Sequence, residues 1–169
     1  MATIEGSRWQ DHLTPVFDIT LQRAEGERAT LDVQLTRPVP LRGLDEVNIT
    51  IVDSDDMVRT DRLPGGPSQE EIDRQVWGPY RFVPGSDGAD EAGRSVESGP
   101  LKVGRGRPFA LERTRPPYWQ EGPDVAGRWR EQWAGSLLRL ELTCLRTGLD
   151  PWVVPCSVEQ PSVPRVRWI

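Results

Sequence analysis

The stretch SLLRLELTCLRTGLDPWVVPCSVE, Ser136–Glu159, alternates, turns and alternates again, and it decides the fold. Leu138, Leu140, Leu142 and Cys144 share one parity, with Arg139, Glu141 and Thr143 between them; Trp152, Val154, Cys156 and Val158 repeat the pattern on the return. A period of two marks a strand with one buried face, so the stretch reads as a β-hairpin. Directly opposed residues share a face, so even-numbered positions must pair with even-numbered ones. A two-residue Gly148-Leu149 turn breaks that condition, and an odd-length loop meets it. Either Cys144 or Leu142 then lies opposite Cys156.

Upstream, Phe17, Ile19 and Leu21 alternate with Asp18, Thr20 and Gln22, and Leu31, Val33 and Leu35 alternate with Thr30, Asp32 and Gln34. The connection AEGER carries Gly26 at its centre and sets Leu21 against Leu31, a second hairpin with both apolar rows on one side. After the proline-punctuated RPVPLRGLD, a third strand runs through Val47, Asn48, Ile49, Thr50 and Ile51. Tyr80–Val83, Phe109–Glu112 and a terminal Val163–Trp168 are shorter strand candidates. Pro67, Ser68 and Glu71 form the capping box of a helix that Gly78-Pro79 ends after about two and a half turns. Asp124 caps a second helix in which Trp129 and Trp133, four apart, share a face and are expected to cover the sheet. PGSDGADEAGRSVESGP at 84–100 and RPPYWQEGPD at 115–124 read as loops.

These elements predict a mainly β chain: an antiparallel β-sandwich, immunoglobulin-like, with two short inserted helices and long loops. A partly open barrel is the alternative. Residues 1–12 form an N-terminal arm, within which MATIEGS is compatible with an expression remnant, and 13–169 form a single domain. A chain of 169 residues buries enough surface to fold without a staple. Its two cysteines do not imply a disulfide scaffold and are read as two buried thiols. Arginine supplies all the basic residues except Lys102, alongside heavy use of Pro, Gly, Ala and Val, a bias of high-GC coding and a bacterial type of chain. No run approaches a membrane span and the N-terminus lacks a hydrophobic signal core, so the expected location is cytoplasmic.

A net charge of −5 argues against a general nucleic-acid binder, whose affinity rests on basic side chains. With His12 as the single histidine, neither a triad nor a zinc site assembles, and GRGRP at 104–108 lacks the third glycine of a dinucleotide fingerprint. Asp53, Asp55 and Asp56 leave a strand end, and Asp87 and Asp90 with Glu91 occupy a second acidic loop. This pair of loops resembles the metal end of calcium-dependent lipid-binding sandwiches; the resemblance covers the loops alone and implies calcium as the single cofactor to consider. The same acids give a hydrolase reading, and the tryptophans a lipid- or carbohydrate-binding one.

Residues 53–75 hold seven carboxylates against three arginines, whereas 101–119 hold Lys102, Arg105, Arg107, Arg113 and Arg115 against Glu112. The two segments attract each other, or the basic one, continuing into Tyr118 and Trp119, forms a cationic and aromatic patch. Of seven tryptophans, Trp77, Trp129, Trp133 and Trp152 suit a core, while Trp119 and Trp168 suit an interface. With no assembled catalytic site, the expected role is a non-catalytic protein-interaction or accessory module of a bacterial multi-protein system. Its partner is another protein, with a homo-oligomer compatible with the sequence.

Overall fold

A computed structural model of the chain describes residues 8–59 and 64–161. The chain is mainly β. Two four-stranded antiparallel sheets face each other across one core. The first holds β1 (Val16–Arg23), β2 (Arg28–Arg37), β8 (Gly106–Arg113) and β5 (Tyr80–Phe82), side by side in that order. The second holds β10 (Trp152–Val158), β9 (Leu138–Leu145), β4 (Glu46–Val52) and β6 (Ser95–Glu97). A two-residue ribbon of β3 (Gly43–Leu44) and β7 (Leu101–Lys102) completes the strands. Leu31, Val33 and Leu35 of β2 and Phe109 and Leu111 of β8 meet Ile49 and Ile51 of β4 and Leu140 and Leu142 of β9 inside, each at most 1% exposed. Period-two apolar rows therefore become the two inner faces of one interior.

The first hairpin has the expected register, Leu21 opposite Leu31. Gly26, at φ +64°, closes it in a three-residue loop, with Ala24 N–H donating to Arg28 O at 3.0 Å. The Ser136–Glu159 hairpin keeps the even register but slides away from both expected pairings: Cys144 faces Trp152, and Cys156 faces Leu140. The loop centres on Gly148, whose φ of +84° allows the reversal there, so the cysteines are not cross-strand neighbours. Both thiols are free, Cys144 buried and Cys156 half-buried.

Three other expectations shift. The capping box forms as read, with Ser68 Oγ accepting from Glu71 N–H and Glu71 Oε1 from Ser68 N–H. Helix α2 (Gln69–Arg74; α1 spans 8–12) nevertheless stops short of Gly78. Gln75 turns to ψ 131° because Val76 and Trp77 are drawn into buried positions, and Trp77 N–H donates to Asp53 at 3.3 Å. The loop at 84–100 contains β6, whose single inward residue, Val96, is 1% exposed; one apolar residue gives no alternation to read. Strand β8 runs longer than Phe109–Glu112 because pairing with β2 extends it back to Gly106.

Helix α3 (Val125–Gln132) is capped by Asp124, which accepts from Gly127 N–H at 3.3 Å. Its Trp129, together with the adjacent Trp133, builds a second core with Trp77 and Ile72, separate from the aliphatic interior, instead of covering the sheet. Trp152, by contrast, joins the main core. Of the N-terminal arm, 8–12 is helical and tied to the β9–β10 turn: Gln10 donates to Asp150 O at 2.7 Å, and Trp152 Nε1 donates to Gln10 O at 3.2 Å. The expected terminal strand and Trp168 lie outside the described residues. Among the described residues no helix is long and apolar enough to cross a membrane.

Candidate binding cleft

Thr114, the residue after β8, fixes the chain where the strand ends. Its N–H donates to Pro79 O at 3.2 Å, its hydroxyl donates to Gly78 O, and it accepts from Trp129 Nε1 at 2.9 Å. Thr114 thereby joins β8, the Gly78-Pro79 segment and α3 at one buried point. Beyond it, Pro116 and Pro117 hold the chain extended, and Gln75 donates to Arg115 O at 2.9 Å. Tyr118 and Trp119 close the segment edge to face, centroids 5.1 Å apart. Trp119 leans on Trp77 at 6.3 Å, Trp77 on Trp129 at 5.6 Å, and Trp129 on Trp133 at 5.6 Å. At the far side, the Arg59 guanidinium lies 4.0 Å from the Trp77 ring and bonds Asp55 at 2.7 Å. The arginine thus packs on the middle member of the aromatic chain.

In front of this frame opens a cleft of about 710 Å³, whose lining includes Arg115, Tyr118, Trp119, Glu71, Arg74 and Asp90. Tyr118 is 74% exposed, yet its hydroxyl donates to Glu71 Oε2. That bond holds the Glu71 carboxyl below its ordinary range and pushes the Tyr118 phenol above its own. Glu71 thus serves twice, capping α2 and tethering the 118 loop.

The basic segment divides. Arg115, Tyr118 and Trp119 line the cleft. Arg113 pairs with Glu27 at 3.1 Å and lies 5.6 Å from the Tyr80 ring, so its charge is engaged. Arg107 is roughly 20 Å away along the strand at about 3.3 Å per residue; it donates to Ser98 O and lies over Phe109. Arg105 is exposed in the turn before β8. The single patch expected from 101–119 is therefore two regions at opposite ends of one strand.

The acidic residues also find partners, none of them an arginine or lysine of the basic segment. Asp53 accepts from Trp77 N–H and from Arg94 at 3.5 Å, Asp55 from Arg59, and Asp56 from Arg139 at 2.9 Å. Arg59 is the main reason the Asp55 carboxyl sits below its ordinary range. Asp87 accepts from Ala110 N–H of β8 at 2.9 Å, tying its loop to the sheet, and Asp90 accepts from Arg94 N–H at 2.8 Å, closing a turn. Among the described residues no three His, Cys, Asp or Glu side chains gather as a cation would require. His12 is exposed at the end of α1.

Sequence reading missed Arg94. Its guanidinium donates to Ile51 O at 3.0 Å, to Gln75 O and to Asp53, stitching β4 to the segment after α2. An arginine within a Gly-, Ser- and acid-rich run carries no signal separating this role from a solvated one. Missed likewise was Arg81, bonded to Glu112 at 2.9 Å across β5 and β8; its alternation with Tyr80 and Phe82 was the available clue.

No family model matches the chain, and no curated protein or solved structure is found similar to it.

Proposed function

We propose that this chain is a non-catalytic module that binds another protein through the cleft beside Thr114–Trp119. The observation that carries this reading is that an exposed tyrosine and Arg115, which meets no carboxylate among the described residues, line one cleft on a frame fixed by Thr114 and two prolines. Tyrosine, tryptophan and arginine are the side chains that dominate protein interfaces, and a rigid frame lowers the entropy lost on docking. Most carboxylates that suggested a cation site or a hydrolase already accept from arginines or backbone amides, which supports binding over either alternative.

The test is quantitative capture from the native host with the wild-type chain and the Arg115→Ala/Tyr118→Ala variant as baits. A partner retained by the wild type and reduced at least about tenfold by the variant is the expected result, each truncation at such a centre removing roughly 1–2 kcal/mol. Equal retention by both overturns the assignment of the cleft.

A further inference from the structure

A second pocket, of about 250 Å³, lies between α3 and the segment from Glu112 to Pro116 and adjoins the cleft, since Thr114, Arg115 and Pro116 line both. Its apolar lining is Trp129, Trp133 and Pro79, all buried, with the exposed Ala126. The space corresponds to about eight waters at roughly 30 Å³ each. That is below the range of drug-sized sites and suits one ring or one branched side chain.

Its charges are unevenly matched. Glu27 pairs with Arg113 at 3.1 Å, and Glu112 turns to Arg81 at 2.8 Å. Arg115 and Arg130, both exposed and both lining the pocket, pair with no carboxylate among the described residues. Trp133 adds a buried indole N–H with no acceptor among the described residues. Two uncompensated guanidiniums at the mouth of an apolar pocket complement an anion joined to an apolar body. A guanidinium fork matches the two oxygens of a carboxylate, and the indole lining favours a ring or aliphatic group over water. Inorganic phosphate would satisfy the arginines and leave the apolar lining wet; an uncharged ring would do the reverse.

We infer that this pocket binds a small carboxylate carrying an apolar body. The carboxylate belongs either to a free aromatic acid or to the C-terminus of a chain ending in an apolar residue. The site shares Arg115 with the cleft of the protein-binding reading, uses neither Tyr118 nor Trp119, and adds Arg130, which lines this pocket and not the cleft.

Calorimetric titration of the full chain tests it, with phenylacetate, phenylacetamide, and an acetyl-Gly-Gly-Phe peptide in free-acid and amidated forms. One-site saturable binding of phenylacetate is expected, weaker by at least about tenfold for phenylacetamide and for Arg115→Gln and Arg130→Gln, the scale of one charge-assisted hydrogen bond. Arg105→Gln, at the far end of β8, leaves binding unchanged, and unshifted melting temperatures show that the variants are folded. Tighter binding of the free-acid peptide than of phenylacetate, lost on amidation, identifies a chain terminus as the source. The opposite order identifies a free acid. No saturable heat at millimolar acid, equal affinity for acid and amide, or unaltered binding by both arginine variants overturns the inference. Arg130 lines this pocket and not the cleft, so Arg130→Gln reads loss of acid binding separately from loss of partner capture.

Discussion

Tyr118 and Glu71 show how one hydrogen bond couples two exposed residues to pH. Accepting from the phenol favours the ionised form of Glu71 and so lowers its pKa; stability from this source is present above the ordinary carboxylate range and is lost as pH falls through the lowered value. Donating favours the neutral phenol, so the Tyr118 contribution is present below the ordinary phenol range and is lost as pH rises through the raised value. In Glu71→Gln, phenolate absorbance at 295 nm is expected to develop at lower pH than in the wild type; an unchanged titration removes the tether. The two thiols make a second contrast. Burial, with a smaller effect from Cys156, pushes the Cys144 thiol up to about 12. Roughly one molecule in ten thousand then carries that thiolate at pH 8. Burial raises the half-buried Cys156 as well. Mass spectrometry after iodoacetamide treatment at pH 8 should therefore find native protein labelled at Cys156 first, with Cys144 labelled only on unfolding.

Elements are joined here by a few buried polar points rather than by long interfaces. Thr114→Val keeps the shape but leaves the buried Trp129 N–H and Gly78 carbonyl without their partner. The expected loss is about 1–3 kcal/mol per unsatisfied group, read as a lower urea midpoint with altered near-UV circular dichroism. Gly93 joins the two sheets next to the stretch Asp90–Ala92, which lines the cleft together with Thr114. Its carbonyl accepts from Phe82 N–H of β5 at 2.8 Å, while the next residue, Arg94, accepts through its carbonyl from Ile51 N–H of β4 at 2.8 Å. At φ +69°, an added Cβ would lie 2.3 Å from Phe82 O. Gly93→Ala is expected to cost at least about 1–3 kcal/mol, the scale of left-handed strain alone, and a neutral melting temperature would mean that this crossing is not a constraint.

Over the whole molecule, two cores of different character divide the stability. The main core joins residues from ten paired strands, whereas the second rests on Ile72, Trp77, Trp129 and Trp133 with Trp119 against it. The smaller layer is built from the chain around short helices, so its amides are expected to exchange through openings of lower free energy than those of β2, β4, β8 and β9. Native-state hydrogen exchange checks this directly: equal protection in both layers would show one cooperative unit. The candidate cleft lies where the smaller layer meets the sandwich, on Arg115, Tyr118 and Trp119.

The sequence by itself determined the strands with sustained alternation, the parity of their pairing and both helix caps. Leu138–Cys144, Leu31–Leu35 and Val47–Ile51 could bury their rows only as strands, and Ser68 and Asp124 act on amides three residues away. Only the tertiary structure decided the slide that separates Cys144 from Cys156, the strand hidden around Val96, and the partners of Arg94 and Arg113. It also decided that Trp77, Trp129 and Trp133 pack on one another. Alternation and capping are local, set by backbone geometry within a few residues. Which arginine meets which carboxylate, and which face an indole covers, depends on segments distant in the chain that come together only after the two sheets have closed.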